Sequence, residues 1–159
     1  MDKKWVDKLL LIVSILLFFV MSASFLIMPL DIYMERVSSS AVNIISGLCF
    51  WIPLVGGCIM QFFLAMRRKQ WMRIHKKAMD SQKRVGVVSI FENKPAIVAD
   101  LVMIISFVVC VAVFACTDGS GYFCYIIVAL FVFSFCMHCI LNGKNFRFTA
   151  GQTKMQREN

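Results

Sequence analysis

Charged residues are missing from four long stretches of this 159-residue chain, although the whole chain carries a formal charge of +8. The stretches without Lys, Arg, Asp or Glu are Leu9–Leu30, Val37–Met66, Leu101–Thr117 and Gly119–Gly143. A helix needs about 20 apolar residues to cross the hydrocarbon core of a bilayer, and the third stretch reaches that length once Pro95–Ala99 is added. A composition that is 60% hydrophobic excludes a soluble domain, because a chain of this size cannot bury so much apolar surface.

The four stretches predict an all-α integral membrane protein made of a single four-transmembrane-helix bundle. The expected spans are residues 9–30, 42–66, 97–117 and 120–142. A basic loop over residues 67–96 joins helices 2 and 3, and a polar C-terminal tail over residues 144–159 is expected to fray beyond Phe148. The first apolar stretch is longer than the core of a cleaved signal peptide, so we expect it to remain as a span.

The connections between the spans differ in charge. The loop between spans 2 and 3 carries nine cations against two acids: Arg67, Arg68, Lys69, Arg73, Lys76, Lys77, Lys83, Arg84 and Lys94 against Asp80 and Glu92. The connection after span 1 has two acids and one arginine, and the connection after span 3 has only Asp118. Basic connections stay on the cytoplasmic side. The chain is therefore expected in the plasma membrane with both termini in the cytoplasm.

The basic loop is also the best candidate for a contact surface. The predicted contact residues are Arg67, Arg68, Lys69, Trp71, Arg73, Lys76 and Lys77. If helix 2 continues into this segment, its cations could bind the anionic lipids of the inner leaflet, or a protein partner. The alternative is a solvated charged face that only sets the orientation. Nucleic acid is excluded as a partner, because the segment is short, tethered to the membrane and lacks a recognition module.

The second span contains an irregular stretch, in which Pro53 is followed one turn later by Gly56 and Gly57. Proline removes a backbone donor and kinks a helix, and glycine lets a neighbouring helix approach closely. The favoured interpretation is a kinked packing helix. The alternative is a broken helix that lines a substrate path, although no other span has proline and glycine together near its middle.

Ionisable residues are absent from the centres of the spans, which argues against coupled transport. Asp100 lies about one turn into the third span and is the one candidate polar site there. Capping of the helix, or pairing with a loop lysine, is the simpler explanation for it. The chain also lacks a glycine-rich phosphate loop, a nucleophile elbow and paired carboxylates. We therefore predict no catalytic residue, no metal ligand and no cofactor.

Seven cysteines allow two arrangements to be considered. Cys116 and Cys124 flank the short connection between spans 3 and 4, at matching heights if that connection is tight. An oxidising exterior would permit a disulfide between them, provided that their Cα atoms come within about 7 Å. The alternative is that both thiols serve as small apolar packing groups.

The second arrangement is a CxxC in the fourth span, within FCMHCI at Phe135–Ile140. In a four-helix membrane protein with both ends in the cytoplasm, this motif resembles the vitamin K epoxide reductase family. The resemblance would imply a quinone-linked thiol oxidoreductase with Cys136 and Cys139 as its redox pair. The chain departs from that family in two respects. Asp31–Ser40 contains no relay cysteines, and the CxxC lies at the cytoplasmic end of its helix.

The favoured function is that of an accessory, regulatory or immunity-type subunit, which acts by helix–helix association with a membrane partner or as a homo-oligomer. Small residues such as Ser22, Ser24, Ser46 and Gly47 are candidates for close helix contact. One alternative is an oligomeric channel or transporter component that uses the kinked second helix. The thiol oxidoreductase is the less favoured alternative.

Overall fold

A computed structural model describes residues 3–33, 38–74, 90–116 and 121–155 of the chain. Within these ranges the protein is all-helical, with no strand. The α-helices are α1 (Lys3–Ala23), α2 (Leu30–Tyr33), α3 (Ser39–Ile74), α4 (Ile97–Cys116), α5 (Tyr122–Asn142) and α6 (Lys144–Met155). Short 3-10 turns occupy Ser24–Leu26 and Lys94–Ala96.

Four of these helices, α1, α3, α4 and α5, are long and apolar enough to cross a membrane. This confirms a multi-pass helical membrane protein. The bounds of α4 and α5 differ from the expected spans by at most two residues. In contrast, α3 continues two turns beyond residue 66 into the basic segment. That extension contains neither glycine nor proline, and its Arg, Lys, Gln and Met residues favour helix.

The first span lies closer to the N-terminus than its apolar stretch, over Trp5–Leu26. α1 ends at Ala23, and the chain then turns before α2 begins at Leu30. Two local features accompany this ending. The Ser24 hydroxyl donates to the Met21 carbonyl at 2.6 Å, and Pro29 has no N–H to continue a helical ladder.

The C-terminal segment is helical well beyond the expected fraying point, because α6 runs to Met155. The aromatic residues of α6 explain why this helix packs against the rest of the protein. Phe146 packs against the main hydrophobic cluster, and Phe148 is 2% exposed, with its ring centroid 5.6 Å from that of Trp71. Burial of these rings holds a helix that is too short and polar to be stable alone.

The long helices form an open row. α3 packs on α1, α1 packs on α5, and α5 packs on α4, whereas α6 contacts α1, α3 and α5 near their ends. Within the described residues, and apart from its 3-10 turn, α4 packs substantially on α5 alone. Only 11% of the apolar window of α4 is buried inside the protein, against 33% for α5. α4 therefore forms one edge of the row.

α1 and α3 approach each other closely at the irregular stretch of α3. A Cβ atom at Gly57 would lie 2.9 Å from Cζ of Phe18, and one at Gly56 would lie 3.2 Å from Cδ1 of Leu17. Pro53 is buried on the same helix. The glycines thus make room for α1 side chains, which supports the interpretation of this stretch as a packing element.

Candidate functional site

Polar side chains collect where α1 begins, α3 and α5 end, and α6 begins. We call this the basic end of the bundle, because Arg67, Arg68, Lys69 and Lys144 lie there. Arg67 Nε donates to Oδ1 of Asp7, which is 2% exposed. The ion pair joins the start of α1 to the end of α3. A buried carboxylate needs such a partner, since an unpaired charge in apolar surroundings is expensive.

A chain of hydrogen bonds continues from α1 through α3 to α6. Gln61 Nε2 donates to Ser14 Oγ at 2.8 Å. Asn145 Nδ2 donates to Oε1 of Gln61 at 2.9 Å and to its backbone carbonyl at 3.0 Å. Arg68 Nη1 in turn donates to Asn145 Oδ1 at 2.9 Å. Each side-chain amide both donates and accepts, so two amides suffice to connect three helices.

A second polar cluster joins α4 to α5. Asp100, which is 0% exposed, lies with Oδ1 2.5 Å from Nδ1 of His138, and its Oδ2 accepts the N–H of Phe91 at 2.7 Å. Phe91 has a φ of 62°, a left-handed conformation that is rare for a non-glycine residue. The turn thereby presents its amide to Asp100. Among the described residues, His138 is the side-chain partner of Asp100.

Asn142 completes this cluster. Its Nδ2 lies 3.1 Å from the same Nδ1 of His138, and its Oδ1 has no hydrogen-bond partner within the described parts of the chain. Its backbone carbonyl accepts from Arg147 at 3.0 Å. Asn142 is 2% exposed, so the cluster is closed to solvent.

A cavity of about 540 Å³ opens at the basic end between α1, α3, α5 and the start of α6. Its lining includes apolar side chains and, at the α3–α6 side, polar and cationic ones. The lining residues are Phe18, Gln61, Ala65, Arg68, Phe135, Cys136, Cys139, Ile140, Gly143, Lys144 and Asn145. No acidic side chain lines the described wall. The cavity therefore has a mainly apolar lining and a net positive charge.

The basic residues predicted as one contact surface are divided by the structure. Arg67 and Arg68 turn into the protein, where they bind Asp7 and Asn145, whereas the side chain of Lys69 is exposed. Trp71 packs against Phe148. The side chain of Arg73 and the whole of Lys76 and Lys77 lie outside the described residues.

The cysteines occupy different environments. Cys116 is exposed at the end of α4, and Cys124 is buried in α5. Both are free thiols, so a disulfide between them stays a prediction. Cys136 and Cys139 are also free, and both line the cavity. Within the described ranges, no three His, Cys, Asp or Glu side chains are grouped to hold a metal ion.

The small residues proposed for helix contacts are mostly used inside the chain. Ser22, Ser24 and Ser46 are buried, and each hydroxyl donates to a carbonyl three residues earlier in its own segment. Gly47 differs, because a Cβ atom placed there would have nothing within 4 Å. Of the four, only Gly47 remains open to another molecule.

Sequence reasoning did not select Gln61, His138, Asn142 or Asn145 as site residues. Their signal was available, since all four are polar residues in or beside apolar helices and all lie towards the same expected side. A polar group in such a helix requires a partner. Comparison with known proteins adds no further site: no family model, no curated protein and no solved structure matches this chain.

Proposed function

We propose that this protein is a non-enzymatic accessory subunit, regulatory or immunity-type, that binds a larger membrane protein through the free face of α4. The observation that carries the proposal is the one-sided packing of that helix. Among the described helices, α4 packs mainly on α5, and 11% of its apolar window is buried. A transmembrane helix gains van der Waals contacts when a second helix covers its open side.

The free face of α4 has a surface suited to close helix packing. Val98, Leu101, Ile105 and Val108 recur at spacings of three and four residues and are between 50% and 72% exposed. Further along the same face, Ala112 and Ala115 are exposed. Branched side chains followed by alanines let a neighbouring backbone approach, whereas long or aromatic side chains would hold it away.

The same proposal includes the orientation in the plasma membrane. The start of α1, the end of α3 and α6 meet at the basic end, as the Asp7–Arg67 and Gln61–Asn145 contacts require. Positive residues are retained on the cytoplasmic side. We therefore place the basic end and both termini in the cytoplasm, and the partner helix runs beside α4 across the bilayer.

Affinity capture of the full-length chain in mild detergent tests this function. The test variant is Ala112→Phe on the free face of α4, and the matched control is Ala41→Phe. Ala41 is also exposed, but it lies on α3 at the other edge of the row. A clash of about 1.4 kcal/mol at the interface weakens binding about tenfold. We expect a membrane protein to co-purify with the wild type and with Ala41→Phe, and to fall about tenfold with Ala112→Phe.

Three results would overturn the proposal. One is recovery of the wild-type chain alone as a monodisperse monomer. Another is recovery of a second copy of this chain as the sole partner, which would make the protein a homo-oligomer. The third is equal capture by Ala112→Phe and Ala41→Phe, which would remove α4 from the interface.

A further inference from the structure

The cavity at the basic end combines two properties that are rarely found together in a packing defect. Its apolar part is formed by side chains such as Phe18, Phe135 and Ile140, which come from two different helices. Its polar part contains two cations, Arg68 and Lys144, without a carboxylate in the described wall. A volume of about 540 Å³ lies within the range of small-molecule binding pockets, about 300–1,000 Å³.

Arg68 supplies an independent reason to expect an anion. Its Nη1 donates to Asn145, but its Nε is buried and has no acceptor among the described residues. The preceding residue is different, because Arg67 is neutralised by Asp7. A buried guanidinium donor without an acceptor is costly, and an anionic oxygen is the group that satisfies it best.

We propose that this cavity binds one anionic phospholipid. The phosphate would be held by Arg68 and Lys144, and part of an acyl chain would lie against Phe18 and Phe135. Basic pockets between transmembrane helices are the usual places where anionic headgroups bind. A free phosphate ion would satisfy the cations and leave the aromatic walls uncovered. The aromatic residues of the lining therefore favour the lipid as the source of the phosphate.

This site differs from general attraction of the basic segment to a charged leaflet. Surface attraction depends on the number of exposed cations, because each contributes about the same free energy of binding. The cavity instead depends on Arg68 in particular. Lys69 is the next residue on α3, carries the same charge and is exposed, so it serves as the matched control.

Native mass spectrometry of the full-length chain provides the first measurement. The chain is purified in detergent with phosphatidylcholine alone or with added phosphatidylglycerol. We expect wild type and Lys69→Gln to retain a single phosphatidylglycerol, and Arg68→Gln to lose it. Glutamine keeps a donor for Asn145 but removes the charge. Loss of one charge-assisted hydrogen bond corresponds to a fall in affinity of about tenfold or more.

Thiol protection provides a second measurement that locates the lipid. Single-cysteine variants retain either Cys139, which lines the cavity, or Cys116, which is exposed at the end of α4 and does not line it. In phosphatidylcholine nanodiscs, added phosphatidylglycerol should slow maleimide labelling of Cys139 about tenfold and leave Cys116 unchanged. Arg68→Gln should abolish the protection.

Several outcomes would contradict this site. Protection of Cys139 by inorganic phosphate in neutral nanodiscs, equal to that by phosphatidylglycerol, would assign the site to a free anion. If Arg68→Gln and Lys69→Gln lost retained phosphatidylglycerol equally, surface charge alone would explain the lipid binding. Retention of phosphatidylglycerol by Arg68→Gln at the wild-type level would remove the arginine from the site. None of these results depends on whether a protein partner binds α4.

Discussion

At the scale of single residues, the polar groups of this protein are organised by their need for partners. Asp7, Asp100, Ser14 and Asn142 are almost fully buried in a chain made mainly of apolar helices. Each has a contact to a polar group elsewhere in the described structure. In a low-dielectric environment such contacts are worth more than in water, and their loss is correspondingly costly.

The Asp100–His138 contact gives a test at this scale. Replacing His138 by Leu leaves a buried carboxylate with only the Phe91 amide, and removal of one partner of a buried pair costs about 3 kcal/mol. The double variant Asp100→Leu/His138→Leu removes both polar groups and should lose less stability than His138→Leu alone. The measurement is the midpoint of denaturant-induced unfolding in detergent micelles. If the stability lost in the double variant equals the sum of the losses from the single changes, the two residues are energetically independent.

At the scale of elements, the existence of a spanning helix was easier to predict than the residues at which it begins and ends. α4 and α5 follow their charge-free stretches closely, because a helix in hydrocarbon must satisfy every backbone group internally. The ends of α1 and α3 do not, because local turns and docking decide them. α6 is the clearest case, since its helix depends on Phe148 packing against Trp71, a contact between residues far apart in the chain.

The α1–α3 pair gives a test at the scale of elements. Gly57→Leu forces a side chain into the space of Phe18, and overpacking of this kind costs about 1–3 kcal/mol. Gly47→Leu is the matched control on the same helix, because nothing lies within 4 Å of its Cβ position. Thermal unfolding in detergent should therefore show a lower midpoint for Gly57→Leu and an unchanged midpoint for Gly47→Leu.

A rescue variant makes this test sharper. Phe18→Ala in the Gly57→Leu background removes the ring that meets the new side chain, so the double variant should be more stable than the sum of the single changes predicts. If Gly47→Leu lowered the midpoint of thermal unfolding by the same amount, leucine would be destabilising at either glycine of α3. The α1–α3 contact would then not be the cause.

At the scale of the whole molecule, the open row of helices has two different ends and two different edges. Asp7–Arg67 and Gln61–Asn145 tie the basic end together, and Tyr122 Oη donates to the Leu26 carbonyl at 3.1 Å at the opposite end. The helices at the two edges are α3 and α4. Of these, α4 has the smaller buried fraction. A row of helices with a largely uncovered edge at α4 is suited to association in the membrane, which is the basis of the proposed function.

The proposed orientation is tested with reporters fused to the full chain. A fluorescent protein that folds only in the cytoplasm should be fluorescent at either terminus. A phosphatase that is active only outside the cytoplasm should be active when inserted after Gly119. The reason is that the loop over residues 67–96 holds most of the positive charge of the chain. Phosphatase activity at the C-terminus would reverse the orientation.

The sequence by itself determined the number of helices that can cross a membrane and the approximate bounds of two of them. Both can be identified along the sequence without knowledge of the fold, because the absence of charge over about 20 residues is enough to define a span. Only the tertiary structure decided which helices are neighbours, which polar groups meet and where the cavity lies. In α5, Ser134, His138 and Asn142 recur every four residues and all are buried, so its sequence marks a packed side but not the helix that packs there. The pairing of His138 with Asp100, and of Arg68 with Asn145, follows from that packing.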